Sequence, residues 1–255
     1  MNESQVSVHP GGGSHKPGSA YLLQWKPWLE WARQPFAAGR RHPASLGLET
    51  AAVAVVTVAA VRFLNIQSAI GFKWLIIPCL LVSAALLPTW LRKDEFPPIW
   101  RDRKDVTTSL GLVCYACLCT IPVVFLGLWL MFRMHLPIPL RPAVAGLDGW
   151  FMWLVYQFFY VAVAEEVFFR GYVQANVTRL LGRAHPIGTY AAVLISAGCF
   201  ALAHVVVQGQ VTSLLTFIPG LILAWLFLRT QSLLAPILFH GLANIFYGVI
   251  ALSLM

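Results

Sequence analysis

Apolar residues are gathered into seven long runs that alternate with short polar connections. The runs cover 46–64, 72–91, 106–131, 150–176, 188–207, 212–228 and 233–255. Each run is near the roughly 20 residues that an α-helix needs to cross a bilayer. We therefore predict an all-α, polytopic bundle of about seven transmembrane helices, with six to eight as the range.

The residues before the first run have a different composition. Residues 1–20 are rich in Gly, Ser, His and Pro and hold no apolar stretch of the kind found in a signal peptide, so we expect a disordered tail. Residues 21–45 combine tryptophans with one lysine and three arginines, which suits an interfacial segment at a membrane surface. We divide the remainder into N-terminal transmembrane helices at 46–149 and a C-terminal transmembrane core at 150–255, in which the candidate chemistry falls.

Composition and charge place the chain in a membrane. Hydrophobic residues make up 58% of the chain and charged residues only 11%, far from the balance of a soluble domain. The net charge of +8 invites a nucleic-acid partner, but 13 of the 18 Lys and Arg residues lie in the tail and on every second connection. By the positive-inside rule the N-terminus is cytoplasmic and the C-terminus outside. We expect a multi-pass protein of the inner (plasma) membrane that does not bind nucleic acid.

Two carboxylates lie deep within the fourth run. The stretch "YVAVAEEVFFRGYV", 160–173, places Glu165, Glu166 and Arg170 among apolar and aromatic residues, and no other carboxylate follows Asp148. An ionisable side chain near the bilayer centre costs roughly 2.5–3.5 kcal/mol on insertion scales, so it is a functional candidate by default. Glu166 and Arg170 are i,i+4 neighbours on a helix, whereas Glu165 points about 100° away. A buried ion pair that only fixes packing therefore explains Glu166 and Arg170 but leaves Glu165 in need of another partner.

The partners that the sequence offers are three polar residues in other apolar runs. His204 lies in "CFALAHVVV", and His240 and Asn244 lie one helical turn apart in "PILFHGLANIF". Glu165 and His204 are equally distant from the middle of the connection around 181–188, so an antiparallel helical pair brings them to the same depth. Counted from the nearest apolar limits, Glu165 and Asn244 also reach equal depth. We expect all four groups to share one layer of the membrane.

These residue types fit the hydrolysis of an amide. A glutamate beside an imidazole can act as the general base for a water molecule. His240 and Asn244, one turn apart, can both donate hydrogen bonds to the charge that develops on an attacked carbonyl oxygen. The residues alone therefore favour a hydrolytic site inside the membrane.

The same residues resemble a known family. "EEVFFR" (165–170) fits EExxxR, "FALAH" (200–204) fits FxxxH and "HGLAN" (240–244) fits HxxxN, in this order and on separate predicted spans. Together they resemble the CPBP family of intramembrane proteases, which includes the CaaX prenyl-protein endopeptidases and the bacterial Abi-type proteins. The resemblance covers about 150–250.

This resemblance implies a glutamic-type endopeptidase. Glu165 and His204 would activate the hydrolytic water, His240 and Asn244 would form the oxyanion site, and Glu166 with Arg170 would brace the assembly. The implied substrate is a membrane-embedded or lipid-modified protein or peptide, with C-terminal processing of exported or prenylated proteins as the expected context.

Other readings compete with a metal-free protease. A glutamate with two histidines can bind zinc, but no HExxH motif is present and the resemblance points to a reaction without a cofactor, so zinc is disfavoured. Intramembrane Glu, Arg and His also build proton-coupled transporters. A family member without proteolytic activity, serving as a scaffold or immunity factor, is the third reading. The five cysteines all fall within apolar runs, where core packing is the expected role.

Overall fold

A computed structural model describes residues 43–67, 72–135, 149–181 and 186–254, and these residues form helices and connections without a strand. The helices are α1 (Pro43–Ile66), α2 (Lys73–Arg92), α3 (Arg103–Arg133), α4 (Trp150–Leu181), α5 (Pro186–Gln208), α6 (Phe217–Thr230) and α7 (Leu234–Leu254). A 3₁₀ turn at Val211–Thr216 leads directly into α6.

Seven helical segments in the described residues are long and apolar enough to cross a membrane. The 3₁₀ turn and α6 count as one of them, Val211–Thr230, and the mean hydropathy of the seven lies between 1.3 and 2.2. The predicted all-α bundle with seven spans is confirmed, and it is the fold of a multi-pass membrane protein. The orientation predicted from the basic residues stays a prediction.

The predicted tail at 1–20 lies outside the described residues, as does most of the predicted interfacial segment at 21–45. The last three residues of that segment already belong to α1, which begins at Pro43. The division of the remaining chain at residue 149 stays a prediction.

Helix α4 is not a regular α-helix. Two segments with wide, π-helical turns, Tyr156–Ala162 and Val167–Gln174, flank the short α-helical stretch Val163–Glu166. A π-helical turn takes up more residues than an α-helical one, and such turns are frequent at functional sites. The wide turns therefore change which side chains of α4 share a face.

Two glycines allow backbone segments to approach α4 and α7 closely. A Cβ atom at Gly241 in α7 would lie 2.4 Å from the ring of Phe158 in α4. A Cβ atom at Gly171 in α4 would lie 2.4 Å from the ring of Phe96, in the connection between α2 and α3. Contacts this short are not tolerated, so glycine at both positions fixes how α4 packs between its neighbours.

An ionic network joins α1, α2 and α4 at one end of the bundle. The guanidinium of Arg92 donates to Glu49 and, through Nε, to Oδ2 of Asp94 at 2.8 Å. Arg179 donates to the same Asp94 oxygen at 3.2 Å and to the carbonyl oxygen of Glu95 at 2.6 Å. The network ties the N-terminal helices to the end of α4 that lies beyond Glu165 and Glu166.

Candidate active site

Glu166 and Arg170 form a fully buried ion pair on α4. Nη1 of Arg170 donates to Oε1 of Glu166 at 3.0 Å, and both side chains are 0% exposed. Nη2 of Arg170 also donates to the carbonyl oxygen of Gly220 in α6 at 3.3 Å. The i,i+4 pairing expected from the sequence is present, and it also links α4 to α6.

His240 of α7 lies between the two glutamates. Its Nδ1 is 2.7 Å from Oε1 of Glu166, and its Nε2 is 3.8 Å from Oε2 of Glu165. The Glu166 carboxylate accepts from Arg170, so it acts as an acceptor for His240 as well, and Nδ1 carries a proton. Nε2 can then donate a hydrogen bond only when the ring carries both protons.

His204 of α5 faces Glu165 from the other side. Its Nε2 is 3.8 Å from Oε2 of Glu165, which is longer than a direct hydrogen bond. Its Nδ1 is 2.9 Å from the carbonyl oxygen of Phe200, and a carbonyl only accepts, so Nδ1 carries the proton. The Nε2 lone pair of the neutral ring is therefore directed to the side of Glu165.

The exposure of the two glutamates differs. The Glu165 side chain is 20% exposed and that of His204 19%, whereas Glu166 is 0% exposed. Oε2 of Glu165 makes no hydrogen bond to any residue that the structure describes. Of the two adjacent carboxylates, Glu166 is thus held through Oε1 by Arg170 and His240, and Glu165 is the one whose side chain is partly exposed.

Asn244 is held by a residue that the sequence did not point to. Nδ2 of Asn244 donates to Oε1 of Gln157 in α4 at 3.1 Å. Gln157 precedes Glu166 by nine residues, about two and a half turns of a regular α-helix, which would put the two side chains on opposite faces. The π-helical turn at Tyr156–Ala162 changes this angle, so that both side chains contact α7. Regular helical spacing in the sequence could therefore not have pointed to Gln157.

Phe200, the first residue of the "FALAH" motif, packs at the centre of the site. Its ring centroid lies 4.4 Å from that of His204 and 5.8 Å from that of His240. The guanidinium carbon of Arg170 lies 4.5 Å from the same ring, within the range of a cation–π contact. The ring therefore contacts both imidazoles and the guanidinium of the buried ion pair.

A cavity of about 190 Å³ opens beside Glu165 and His204. Helices α1 and α2 form its opposite wall, with Val58, Asn65 and Ile77 among the lining residues. Tyr156 of α4 also lines it. Apolar residues that face a cavity look the same in sequence as residues that face lipid, so the contribution of α1 and α2 to the site could not be predicted.

A metal-binding cluster is not present in the described part of the chain. No group of three or more His, Cys, Asp or Glu side chains there is arranged to hold a metal ion. Oε2 of Glu165 lies 3.8 Å from Nε2 of both His204 and His240. The five cysteines are free thiols within α2, α3 and α5.

Five of the six predicted site residues, Glu165, Glu166, Arg170, His204 and His240, lie together at one place in the bundle. Asn244 follows His240 by one turn of α7, and its contact is with Gln157. Two carboxylates, two imidazoles and a guanidinium are groups that can carry out acid–base chemistry on a substrate that reaches the cavity.

The part of the chain that contains this site matches a known protein family. Residues 147–246 match the model of the family described as Type II CAAX prenyl endopeptidase Rce1-like. The resemblance to the CPBP family of CAAX proteases, inferred from the three motifs, is therefore confirmed for this part of the chain. Searches of curated proteins and of solved structures found no match.

Proposed function

We propose that the protein is an intramembrane endopeptidase that hydrolyses a peptide bond with a water molecule activated by Glu165 and His204. The observation that carries this proposal is the position of Oε2 of Glu165, 3.8 Å from Nε2 of both histidines, on a side chain that lines the cavity. The family match supports CAAX-type protease activity. The substrate is then a membrane-associated or lipid-modified protein or peptide.

The spacing between Glu165 and His204 suits a shared water molecule. Two atoms 3.8 Å apart can both lie about 2.8 Å from one oxygen, which is an ordinary hydrogen-bond distance. Glu165 removes a proton from this water while its oxygen attacks the carbonyl carbon of the scissile bond. When the C–N bond breaks, Glu165 returns that proton to the departing amine nitrogen, so no proton is lost or gained by the enzyme.

His240 and Asn244 would stabilise the oxyanion of the tetrahedral intermediate. Nδ1 of His240 is engaged with Glu166, so Nε2 can donate to the oxyanion only from the doubly protonated ring. Asn244 has a second N–H on Nδ2 besides the one that Gln157 accepts.

Glu166 and Arg170 would brace the site and take no direct part in the reaction. Arg170 ties α4 to α6 through Gly220, and Glu166 holds Nδ1 of His240 in α7. The pair therefore fixes the imidazole that would donate to the oxyanion.

We propose that the reaction needs no metal. In the purified protein a chelator should leave the cleavage rate unchanged, and the metal content should be well below one ion per chain. Loss of activity with a chelator, restored by zinc, would contradict this part of the proposal.

The test of the function is a comparison of protein termini in membranes. Cells producing the native protein, Glu165→Ala or His204→Ala at equal levels are compared by mass spectrometry of membrane-protein termini. Glu95→Gln, which changes an exposed carboxylate in the α2–α3 connection, is the matched control. We expect a set of termini that is present with the native and control proteins and absent with both site variants; the same set in all four samples would contradict proteolysis.

The role of lipid modification is tested in a separate experiment. Synthetic peptides that span each dependent cleavage position are supplied with and without a farnesyl group on a nearby cysteine. Faster cleavage of the farnesylated form is expected for a CAAX-type substrate. Equal rates would restrict the proposal to unmodified membrane proteins.

A further inference from the structure

We propose that Gln157 is a positioning residue, which orients the Asn244 carboxamide for the oxyanion. This inference rests on the proposed function, because it concerns how one of the proposed oxyanion donors is held. Gln157 is not part of the three motifs, and it lies on α4 at the first wide turn.

The hydrogen bond between the two carboxamides has a defined direction. Nδ2 of Asn244 donates to Oε1 of Gln157 at 3.1 Å, within ordinary hydrogen-bond length. A carboxamide nitrogen has two N–H groups. The one that Gln157 accepts fixes the plane of the amide, and the other is thereby directed rather than free to rotate.

The backbone around Gln157 is itself fixed against α7. The ring of the next residue, Phe158, packs on Gly241 so closely that a Cβ there would lie 2.4 Å away. Gly241 and Asn244 are three residues apart and so lie on one face of α7. Two successive residues of α4 therefore hold two positions on the same face of α7, and Gln157 cannot shift without moving Phe158.

His240 and Asn244 are thus each held by a residue of α4. Glu166 accepts from His240 at 2.7 Å, and Gln157 accepts from Asn244 at 3.1 Å. The wide turn at Tyr156–Ala162 lies between the two acceptors and changes the angle between them around α4, which a regular helix would set near 180°. This gives the turn a specific task, which is to bring a second acceptor to the face of α4 that contacts α7.

The matched substitution is Gln157→Met, which keeps the length of the side chain and removes the acceptor. Rates are measured with the full-length protein and the synthetic peptide that corresponds to the strongest Glu165-dependent terminus. Loss of one orienting hydrogen bond should lower kcat about tenfold. KM should change less than twofold, because the contact acts on the transition state and not on substrate binding.

A double-mutant cycle shows whether Gln157 acts through Asn244. In an Asn244→Ala background, Gln157→Met should change kcat less than twofold, because the group that it orients is gone. A full tenfold loss in that background would overturn the positioning role and indicate that Gln157 contacts the substrate itself or supports the fold.

Gln174 provides the control for a general loss of packing. It is a buried glutamine on the same helix, and its Nε2 donates to the carbonyl oxygen of Ala224 at 2.9 Å, away from the site. Gln174→Met should lower the thermal unfolding midpoint and leave kcat unchanged. An equal loss of kcat in both methionine variants would overturn the inference.

The failure of the inference can be told apart from the failure of the proposed function. If no terminus depends on Glu165, the protease assignment itself is wrong. If such termini exist and Gln157→Met keeps the native kcat, the protease stands and the positioning role of Gln157 is rejected.

Discussion

The first three spanning helices and the last four differ in how much of their surface lies inside the protein. In the most apolar stretch of α1, α2 and α3, 22, 17 and 11% of the residues are buried. The corresponding values for the last four spans are 33, 39, 44 and 44%. Polar groups inside a membrane are expensive unless other protein groups surround them, so only the second region can enclose charged chemistry.

The less buried region nevertheless shapes the site. Val58 of α1 and Ile77 of α2 line the cavity that Glu165 and His204 face. Arg92 at the end of α2 ties this helix to α1 and to the α2–α3 connection. The family match begins at residue 147, so the wall opposite the glutamate comes from the part of the chain outside the match. The last four spanning helices therefore carry the reactive groups, and α1 and α2 limit access to them.

The largest expected effect concerns a reactive group in the enclosed region. His204→Ala should lower the cleavage rate about 10²–10⁴-fold, the usual contribution of a side chain in general acid–base catalysis. The thermal unfolding midpoint should change little, because His204 is partly exposed and makes one hydrogen bond to its own helix. A native rate in this variant would remove His204 from the proposed reaction.

Arg170→Leu should mainly affect folding. It leaves the fully buried Glu166 without its cation, and breaking a buried ion pair typically costs about 3–5 kcal/mol. We expect a strongly reduced yield of monodisperse protein and reduced activity. Arg103→Leu, at an exposed arginine that begins α3, is the control and should keep the native yield. Native abundance and activity in Arg170→Leu would contradict the bracing role.

Glycine substitutions compare packing in the two regions directly. Gly241→Ala pushes a methyl group into Phe158 and should destabilise the protein by about 1–3 kcal/mol. Gly111→Ala in α3 meets no atom within 4 Å and should leave the stability unchanged or raise it by up to about 1 kcal/mol. Thermal unfolding in detergent measures both. Equal effects of the two substitutions would mean that α7 does not pack on α4 as closely as described.

The smallest expected effect comes from the cavity wall. Val58→Trp should narrow the cavity and lower kcat/KM roughly tenfold, with little change in stability. Val55→Trp, on the same helix but 68% exposed, is the control and should have no effect on the rate. Equal rates for both variants would show that α1 does not limit access to the glutamate.

The sequence was sufficient to predict the spanning helices. It also predicted that Glu165 lies near His204 and Glu166 near Arg170. The lengths of the apolar runs predicted the helices because a bilayer sets a minimum length. Equal distances from one connection predicted that Glu165 and His204 reach the same depth, and they lie 3.8 Å apart. The i,i+4 spacing predicted the ion pair of Glu166 with Arg170.

The remaining features depend on geometry that a sequence pattern does not encode. The contact of His240 with Glu166, rather than with Glu165 alone, follows from the approach of α7 to α4 at Gly241. Gln157 was missed because a regular helix would turn it away from α7, and only the π-helical turn returns it. The cavity wall was missed because Val58 and Ile77 are ordinary residues of a lipid-type helix.

The most direct test of the central claim is the cleavage rate of Glu165→Gln in lipid vesicles, measured beside the native protein at equal amounts of folded chain. The substitution keeps the shape of the side chain and removes its ability to accept a proton from water. With the peptide of the strongest Glu165-dependent terminus, we predict a rate at least about 100-fold below that of the native protein. A rate within twofold of the native value would contradict the assignment of Glu165 as the general base.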